Sequence, residues 1–527
     1  MVKGYLALVL HAHLPFIRHP EHETFLEERW LFEAITESYV PLIDVFDGLV
    51  RDGVDFRLTI SLSPTLINML RDELLLSRYR AHLEKLITLA NLEVERTRSD
   101  KRLNELARMY LEKFRRVKHV FKKKYRNDLV SAFKKFQDLG KIEIITCCAT
   151  HGYLPFMDLC KPAVRAQIKI AVDTYKSVFG AGPKGMWLPE CGFCPGHDEI
   201  LKEFGIKYFF VETHGIFFGS PRPRYGVYSP YTCESGVSVF GRDRKSSRAV
   251  WSADEGYPGN PDYREFYRDI GFDLDHDYIR PFIDSGGTRV NTGIKYHRVT
   301  GRSEHKDIYN VERAAVTAAF HADNFAQERK KQAEEISAIM DRDPVIVSLF
   351  DAELFGHWWY EGPMWLDFLL RKMHVDQSGI TTITPGEYLG LYEDYPAITP
   401  SASSWGLKGH SEVWLDGSNS WIYKHLHKMA SLMVKAAAEF KDATGIEKRT
   451  LKQMARELLL AQSSDWAFII KTGTFSDYAT SRLKEHIGRF IALHDQLRNG
   501  NIDAEMLAEA EKKYNIFEEI DYGVYAA

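Results

Sequence analysis

The first two-thirds of the chain alternates short apolar runs with longer stretches of helical periodicity. The runs are Tyr5 to Leu10, Phe56 to Ile60, Ile142 to Thr146, Gly185 to Leu188, Tyr208 to Val211, Val345 to Phe350 and Gly379 to Ile383. Most read as nearly continuous apolar segments, which marks strands covered on both faces, as in a parallel sheet wrapped by helices. Their alternation with helical patterns predicts an α/β fold with a parallel sheet that closes toward a barrel. Two stretches interrupt the rhythm within this domain, taken as residues 1–400. Residues 75–139 are charged and helix-periodic, with neither glycine nor proline before Gly140, and read as a helical insertion. Residues 212–261, rich in Gly, Pro, Tyr and Ser from Arg222 onward, read as a long active-site loop, because a plain connection is rarely so long.

After Pro400 the pattern becomes amphipathic-helical: His425 to Phe440, Arg449 to Gln462, Ser481 to Asn499 and Ala504 to Asn515. Residues 401–527 are therefore expected to form a helical C-terminal domain. Gln462-Ser463-Ser464-Asp465-Trp466 sets polar and aromatic groups inside that pattern, so the domain is expected to pack on the barrel and contribute to its groove. A buried Trp466 beside a satisfied Asp465 is the competing structural reading.

Composition narrows the partner more than the fold. At 527 residues the chain exceeds what one hydrophobic core supports. With 69 basic and 73 acidic residues and no long stretch of one sign, no nucleic-acid or membrane surface is indicated. A neutral substrate suits the chain better, as do aromatics at 13% with tryptophans gathered among polar neighbours. The six cysteines lack framework spacing and are expected to be reduced, as in the cytoplasm. Cys191 and Cys194 form a C-x-x-C, but no second pair exists and Pro195-Gly196 follows where a redox helix would run. The apolar opening is short and meets His11 instead of a cleavage site, so it is read as a strand. No apolar stretch reaches the ~18 residues that span a bilayer. A monomer or small homo-oligomer is expected.

Two carboxylates stand where apolar runs end: Glu190 in Trp187-Leu188-Pro189-Glu190-Cys191-Gly192, and Asp351 in Phe350-Asp351-Ala352-Glu353-Leu354-Phe355-Gly356-His357-Trp358-Trp359. Carboxyl ends of parallel strands form the active face of barrel enzymes. Flat apolar rings beside the acids suit sugar rings, and an apolar wall raises a carboxyl pKa so that it can donate a proton. Cleavage of an acetal needs one carboxylate at the anomeric carbon and one carboxyl to protonate the leaving oxygen. Glu353, two residues on, is a rival for Asp351 or a group that holds a neighbour. His11 and His13 close the first strand with both imidazoles on one side, and His151 ends another. Hydrogen bonding to sugar hydroxyls, or orienting a catalytic acid, is preferred over a metal site, because no carboxylate ligand stands in that strand.

These motifs, together with Ser404-Trp405-Gly406, Trp414-Leu415 and Gln462 to Trp466, resemble in order those of glycoside hydrolase family 57, in its α-glucan branching enzyme and AmyC-type α-amylase group. The resemblance covers nearly the whole chain. It implies an incomplete (β/α)7 barrel with a helical insertion and an all-α C-terminal domain. It also implies retaining chemistry on α-1,4-glucan such as amylose or glycogen, with no cofactor and no metal. By motif match Glu190 would be nucleophile and Asp351 general acid/base. His11, His13, His151, Trp251, Trp405, Trp414 and Asp465 would contact substrate. Lys408 replaces a glycine common in the family's branching enzymes, and the 212–261 segment is short for that type. The expected activity is glucan branching, with α-amylase hydrolysis as the alternative; a metal-dependent deacetylase or a non-catalytic glucan-binding protein stands further off.

Overall fold

The computed structural model describes residues 3–252, 255–283, 286–301, 303, 305–376 and 379–526. Among them the strands are β1 (Gly4–Ala12), β2 (Leu58–Leu62), β3 (Ile142–Cys147), β4 (Gly185–Trp187), β5 (Tyr208–Val211), β6 (Tyr231–Thr232), β7 (Ser238–Gly241), β8 (Val345–Asp351) and β9 (Ile380–Thr382). They pair in the order β6-β7-β5-β4-β3-β2-β1-β8, with β9 against the start of β1. All pairings are parallel except β6 with β7. The outer parallel strands, β7 and β8, are tied just past the end of β7. There Asp243 N–H donates to the Val347 carbonyl at 2.8 Å, and Ser348 Oγ donates to Ser246 Oγ at 2.7 Å. Leaving out the accessory β9, the sheet is thus the incomplete (β/α)7 barrel, seven parallel strands that curl without a closing ladder.

Side-chain alternation explains why these strands read as solid apolar runs. On β1, Ala7 and Val9 face a core shared with Ile145, Cys147, Trp187, Phe210, Val347 and Leu349. Leu6, Leu8, Leu10 and Ala12 face the opposite way into the helical layer. Fully burying each large apolar side chain stabilises by about 1.5–3 kcal/mol, so a register slip, which would exchange the two faces, is strongly disfavoured.

Residues 75–139 form the expected insertion: helices Glu73–Arg96, Lys101–Lys118 and Leu129–Asp138, with a π-turn at His119–Lys124. The 212–261 expectation needs correcting. That segment holds β6, β7 and the helix Arg244–Trp251, and β7 is the seventh barrel strand. The run at Gly379 to Ile383 supplies only the accessory β9. Ser238-Val239-Phe240-Gly241 was hidden by the Gly- and Ser-rich sequence around it, although all four residues are buried.

The boundary at 400 also shifts. The helical region begins with Trp421–Glu439 and continues through Gly445–Ala461, Ser464–Thr472, Ser476–Asn499 and Ala504–Lys513. Residues 397–405 instead run across the barrel: Ala397 bridges Thr232, Thr399 bridges Ser220 and Ser403 bridges Phe193. The 462–466 motif is not mid-helix. Ser463 leaves the helical region of backbone space (φ −53°, ψ 127°), and Ser464 starts a new helix.

Candidate active site

Strand register sets Ser61 of β2, His11 of β1 and Asp351 of β8 side by side. Neighbouring strands in register point their side chains to the same face, so all three stand where the barrel's apolar lumen ends. His11 lies flat on Trp187, with ring centroids 4.6 Å apart and planes 2° from parallel.

Glu190 sits in the turn after β4 with φ 60° and ψ 21°, the left-handed region. A non-glycine residue there costs about 1–2 kcal/mol, so other contacts must hold it. The 403–405 segment supplies them. Trp405 N–H donates to the Glu190 carbonyl at 2.8 Å, and Phe193 and Ser403 exchange backbone bonds of 2.9 and 3.1 Å. Glu190 as a whole is 9% exposed, and its carboxylate accepts at both oxygens, from Trp405 Nε1 at 2.6 Å and Ser464 Oγ at 2.8 Å. Among the described residues no group hydrogen bonds to the Asp351 side chain, while the Arg242 guanidinium lies over the Trp405 ring, 5.5 Å from its centre.

Burial pushes the Glu190 carboxyl up to about 8; Trp405 and Ser464 pull it back, and the charges of Asp465 and Asp351 add to the rise. Burial also raises Asp351, to about 6, against the opposing charges of Arg242 and His13. With one carboxyl held at about 8 and the other at about 6, the two acids share one negative charge near neutrality. Taken singly, these values would leave the proton on Glu190. The opposite placement, Glu190 ionised and Asp351 protonated, is the one in which the donors at both Glu190 oxygens meet an anion.

The histidines link this centre to the helical region. His13 Nε2 bonds Asp465 Oδ2 at 3.0 Å, and its Nδ1 bonds Ser63 Oγ at 2.9 Å. Burial raises the Asp465 carboxyl, but the His13 charge and hydrogen bond outweigh it and hold the group down at about 2. His151, at φ 58°, bonds Ser464 Oγ through Nδ1 at 2.8 Å and His11 Nε2 through Nε2 at 3.0 Å. Burial, then neighbouring imidazoles, hold His11 and His151 well below the usual range. His13 and His151 stack 3.9 Å apart at 12°. Nearly parallel rings direct their lone pairs side by side, and no ion at the usual ~2.0–2.1 Å from both nitrogens lies in both ring planes.

Other expected residues are placed differently. Glu353 holds its neighbours: its carboxylate accepts from the Tyr39 hydroxyl and from His13 N–H. Trp414 is 1% exposed and stacked behind Tyr153 at 5.0 Å, so it backs the wall and offers no open ring face to a sugar. Trp251 is 61% exposed at the end of its helix, with no ring or hydrogen-bond contact to the acids among the described residues. Arg242, Ser464, Ser61 and Tyr39 were not anticipated. Arg242 directly follows β7, so recognising that strand would have exposed it; Ser464 stood inside a noted motif without a role.

The model for glycosyl hydrolase family 57 matches residues 7–321. The chain belongs to this family. A model for the C-terminal region of 1,4-alpha-glucan branching enzymes matches residues 425–525. A 1,4-alpha-glucan branching enzyme of Thermococcus kodakarensis is 32% identical over 560 residues, covering 100% of this chain and 79% of the relative. Among solved structures, the alpha-amylase AmyC from Thermotoga maritima is 45% identical with TM-score 0.93, covering 99% of both chains. The branching enzyme from Pyrococcus horikoshii is 33% identical with TM-score 0.89, covering 100% of this chain and 97% of the other.

Proposed function

We propose that this family 57 enzyme is a retaining α-1,4-glucan branching enzyme. One observation carries the chemistry: a buried carboxylate held at both oxygens by donors, Glu190, in electrostatic contact with a half-buried acid, Asp351, to which no group among the described residues hydrogen bonds. Glu190 attacks the anomeric carbon of an α-1,4-linked glucose while Asp351 protonates the departing 4-oxygen. The glucosyl ester on Glu190 is then resolved as Asp351 takes the proton of an acceptor's 6-hydroxyl. That oxygen bonds the anomeric carbon, Glu190 leaves, and an α-1,6 branch forms with net retention. Arg242 and His13 keep the Asp351 carboxyl from rising further, so that it can both give and take a proton near neutrality.

The full-length similarity to branching enzymes and the C-terminal branching-enzyme match favour transfer to sugar. A specific observation favours the second reading, α-amylase hydrolysis: the 45% identity to AmyC exceeds that to the branching enzymes cited. Water then replaces the acceptor hydroxyl at the same ester. A glycogen-type store in the cytoplasm is the matching role, in keeping with six unpaired cysteines.

Incubation with amylose decides between them. Branching gives α-1,6 linkages, counted after debranching, well in excess of new reducing ends. Reducing ends without α-1,6 linkages would establish hydrolysis instead.

A further inference from the structure

A line of polar side chains runs away from Glu190 through the barrel and ends at Ser61, and each member before Ser61 has one partner on either side. Ser464 Oγ lies 2.8 Å from Glu190 Oε1 and 2.8 Å from His151 Nδ1. His151 Nε2 lies 3.0 Å from His11 Nε2, and His11 Nδ1 lies 3.2 Å from Ser61 Oγ. All four side chains are buried.

We infer that Ser464, His151, His11 and Ser61 form one polarised hydrogen-bond chain whose direction holds Glu190 as the anion. This rests on the reading of Glu190 as nucleophile and extends it to positioning residues. The direction follows from counting protons. A carboxylate only accepts, so Ser464 spends its single hydroxyl proton on Glu190. Ser464 Oγ must then accept from His151 Nδ1–H. A neutral imidazole with its proton on Nδ1 has a bare Nε2, which accepts from His11 Nε2–H. His11 is then bare at Nδ1 and accepts from the Ser61 hydroxyl. Every donor meets one acceptor, with both imidazoles neutral. A protonated Glu190 that donated to Ser464 would require the reversed order, with His151 protonated on Nε2 and His11 on Nδ1.

Burial, then neighbouring imidazoles, oppose a charge on His11 and His151, and only the Asp465 charge works against them at His151. From β1 the chain faces His13, and from the end of β3 it lies near Cys147. From β8 comes Asp351, and from the helical region Asp465, which His13 engages. Ser464 is delivered by the C-terminal helices, locked by its N–H to the His151 carbonyl at 2.9 Å and by the Gly152–Ser463 bridge. The nucleophile's charge state is thereby set by docking of the helical region on the barrel. Bonds within such a chain polarise one another, so its distal members also act on Glu190.

Two experiments test this on the full chain. Nitrogen-15 spectra of histidine-labelled enzyme near neutral pH should show His151 as the Nδ1–H tautomer and His11 as Nε2–H; the opposite pair of tautomers, or a cationic ring, would overturn the chain. Ser464→Ala should move the acid limb of the kcat pH profile upward by about one unit and lower kcat about tenfold or more with KM nearly unchanged. Ser464→Thr should restore both, and Ser61→Ala should shift the limb the same way by less. Ser464→Ala with an unmoved acid limb would refute the inference even if activity fell, and where that variant does not fold the tautomers decide. Labelling with a 2-fluoro glucosyl fluoride separates the two readings. An adduct on a residue other than Glu190 sinks the nucleophile assignment, and with it the catalytic meaning of the chain. An adduct on Glu190 with an unmoved limb sinks the chain alone.

Discussion

The indole Nε1 of Trp405 donates a 2.6 Å hydrogen bond to Glu190 Oε2 across 215 residues of sequence. The same tryptophan's backbone N–H holds the Glu190 carbonyl. One residue thus fixes both the strained main chain and the charge of the proposed nucleophile. Trp405→Phe keeps most of the ring and deletes the side-chain donor. Losing a bond to a charged acceptor costs about 1.5–3 kcal/mol, so kcat on amylose should fall about 10- to 100-fold. The acid limb should move up in pH, because the deleted donor favoured the anion. A loss under about threefold would show that the bond contributes little.

The pH profile of kcat/KM should be bell-shaped, with apparent limits near about 6 and about 8 that belong to the pair of acids. Below the lower limit both carboxyls hold protons and no nucleophile remains. Above the upper limit both are ionised and the acid is lost. Initial rates at saturating and at low amylose check this, and a profile flat from pH 5 to 9 would contradict it.

Asp351→Asn should inactivate the enzyme yet stabilise it at alkaline pH. Burial raises the folded carboxyl from 3.8 to at least the pair's lower limit of about 6. Unfolding therefore releases a proton between those values, and native stability falls as pH rises through that window. The asparagine variant does not lose it. Its advantage should be absent below pH 4 and reach on the order of 3 kcal/mol by pH 7–8, read as the difference in denaturant unfolding free energy. An advantage independent of pH would point to packing instead.

Gly356→Ala should prevent stable folding. Gly356 has φ +113°, and an added Cβ would lie 1.8 Å from the Glu37 carbonyl oxygen, a backbone atom that cannot swing aside. The turn carries the chain from Asp351 to His357, whose Nδ1 bonds Glu37 Oε2 at 2.6 Å. A loss above about 4 kcal/mol is expected, read as a collapse in soluble yield or melting temperature. A variant melting within a few degrees of the parent would show that the turn relaxes.

Much of the barrel was legible because parallel strands covered on both faces leave uninterrupted apolar runs, as in Val345 to Phe350. The acids were legible because each ends such a run. β7 was not, since four residues among glycines, serines and a proline-rich approach carry no periodicity that stands out from a loop. Trp414 misled for a related reason: a tryptophan near polar residues reads alike whether its face is open or, as here, stacked behind Tyr153.

By itself the sequence determined most of the barrel strands, the main helices, and that Glu190 and Asp351 stand at or just past strand ends. Those properties depend on side-chain patterns a few residues long. Only the tertiary structure decided what charges and holds the acids. Ser464 reaches Glu190 across 274 residues and Asp465 reaches His13 across 452. The physical reason is that a hydrogen bond depends on ångström-scale placement of two groups. For groups so far apart in the chain, that placement is set only when the helical region packs onto the open face of the barrel.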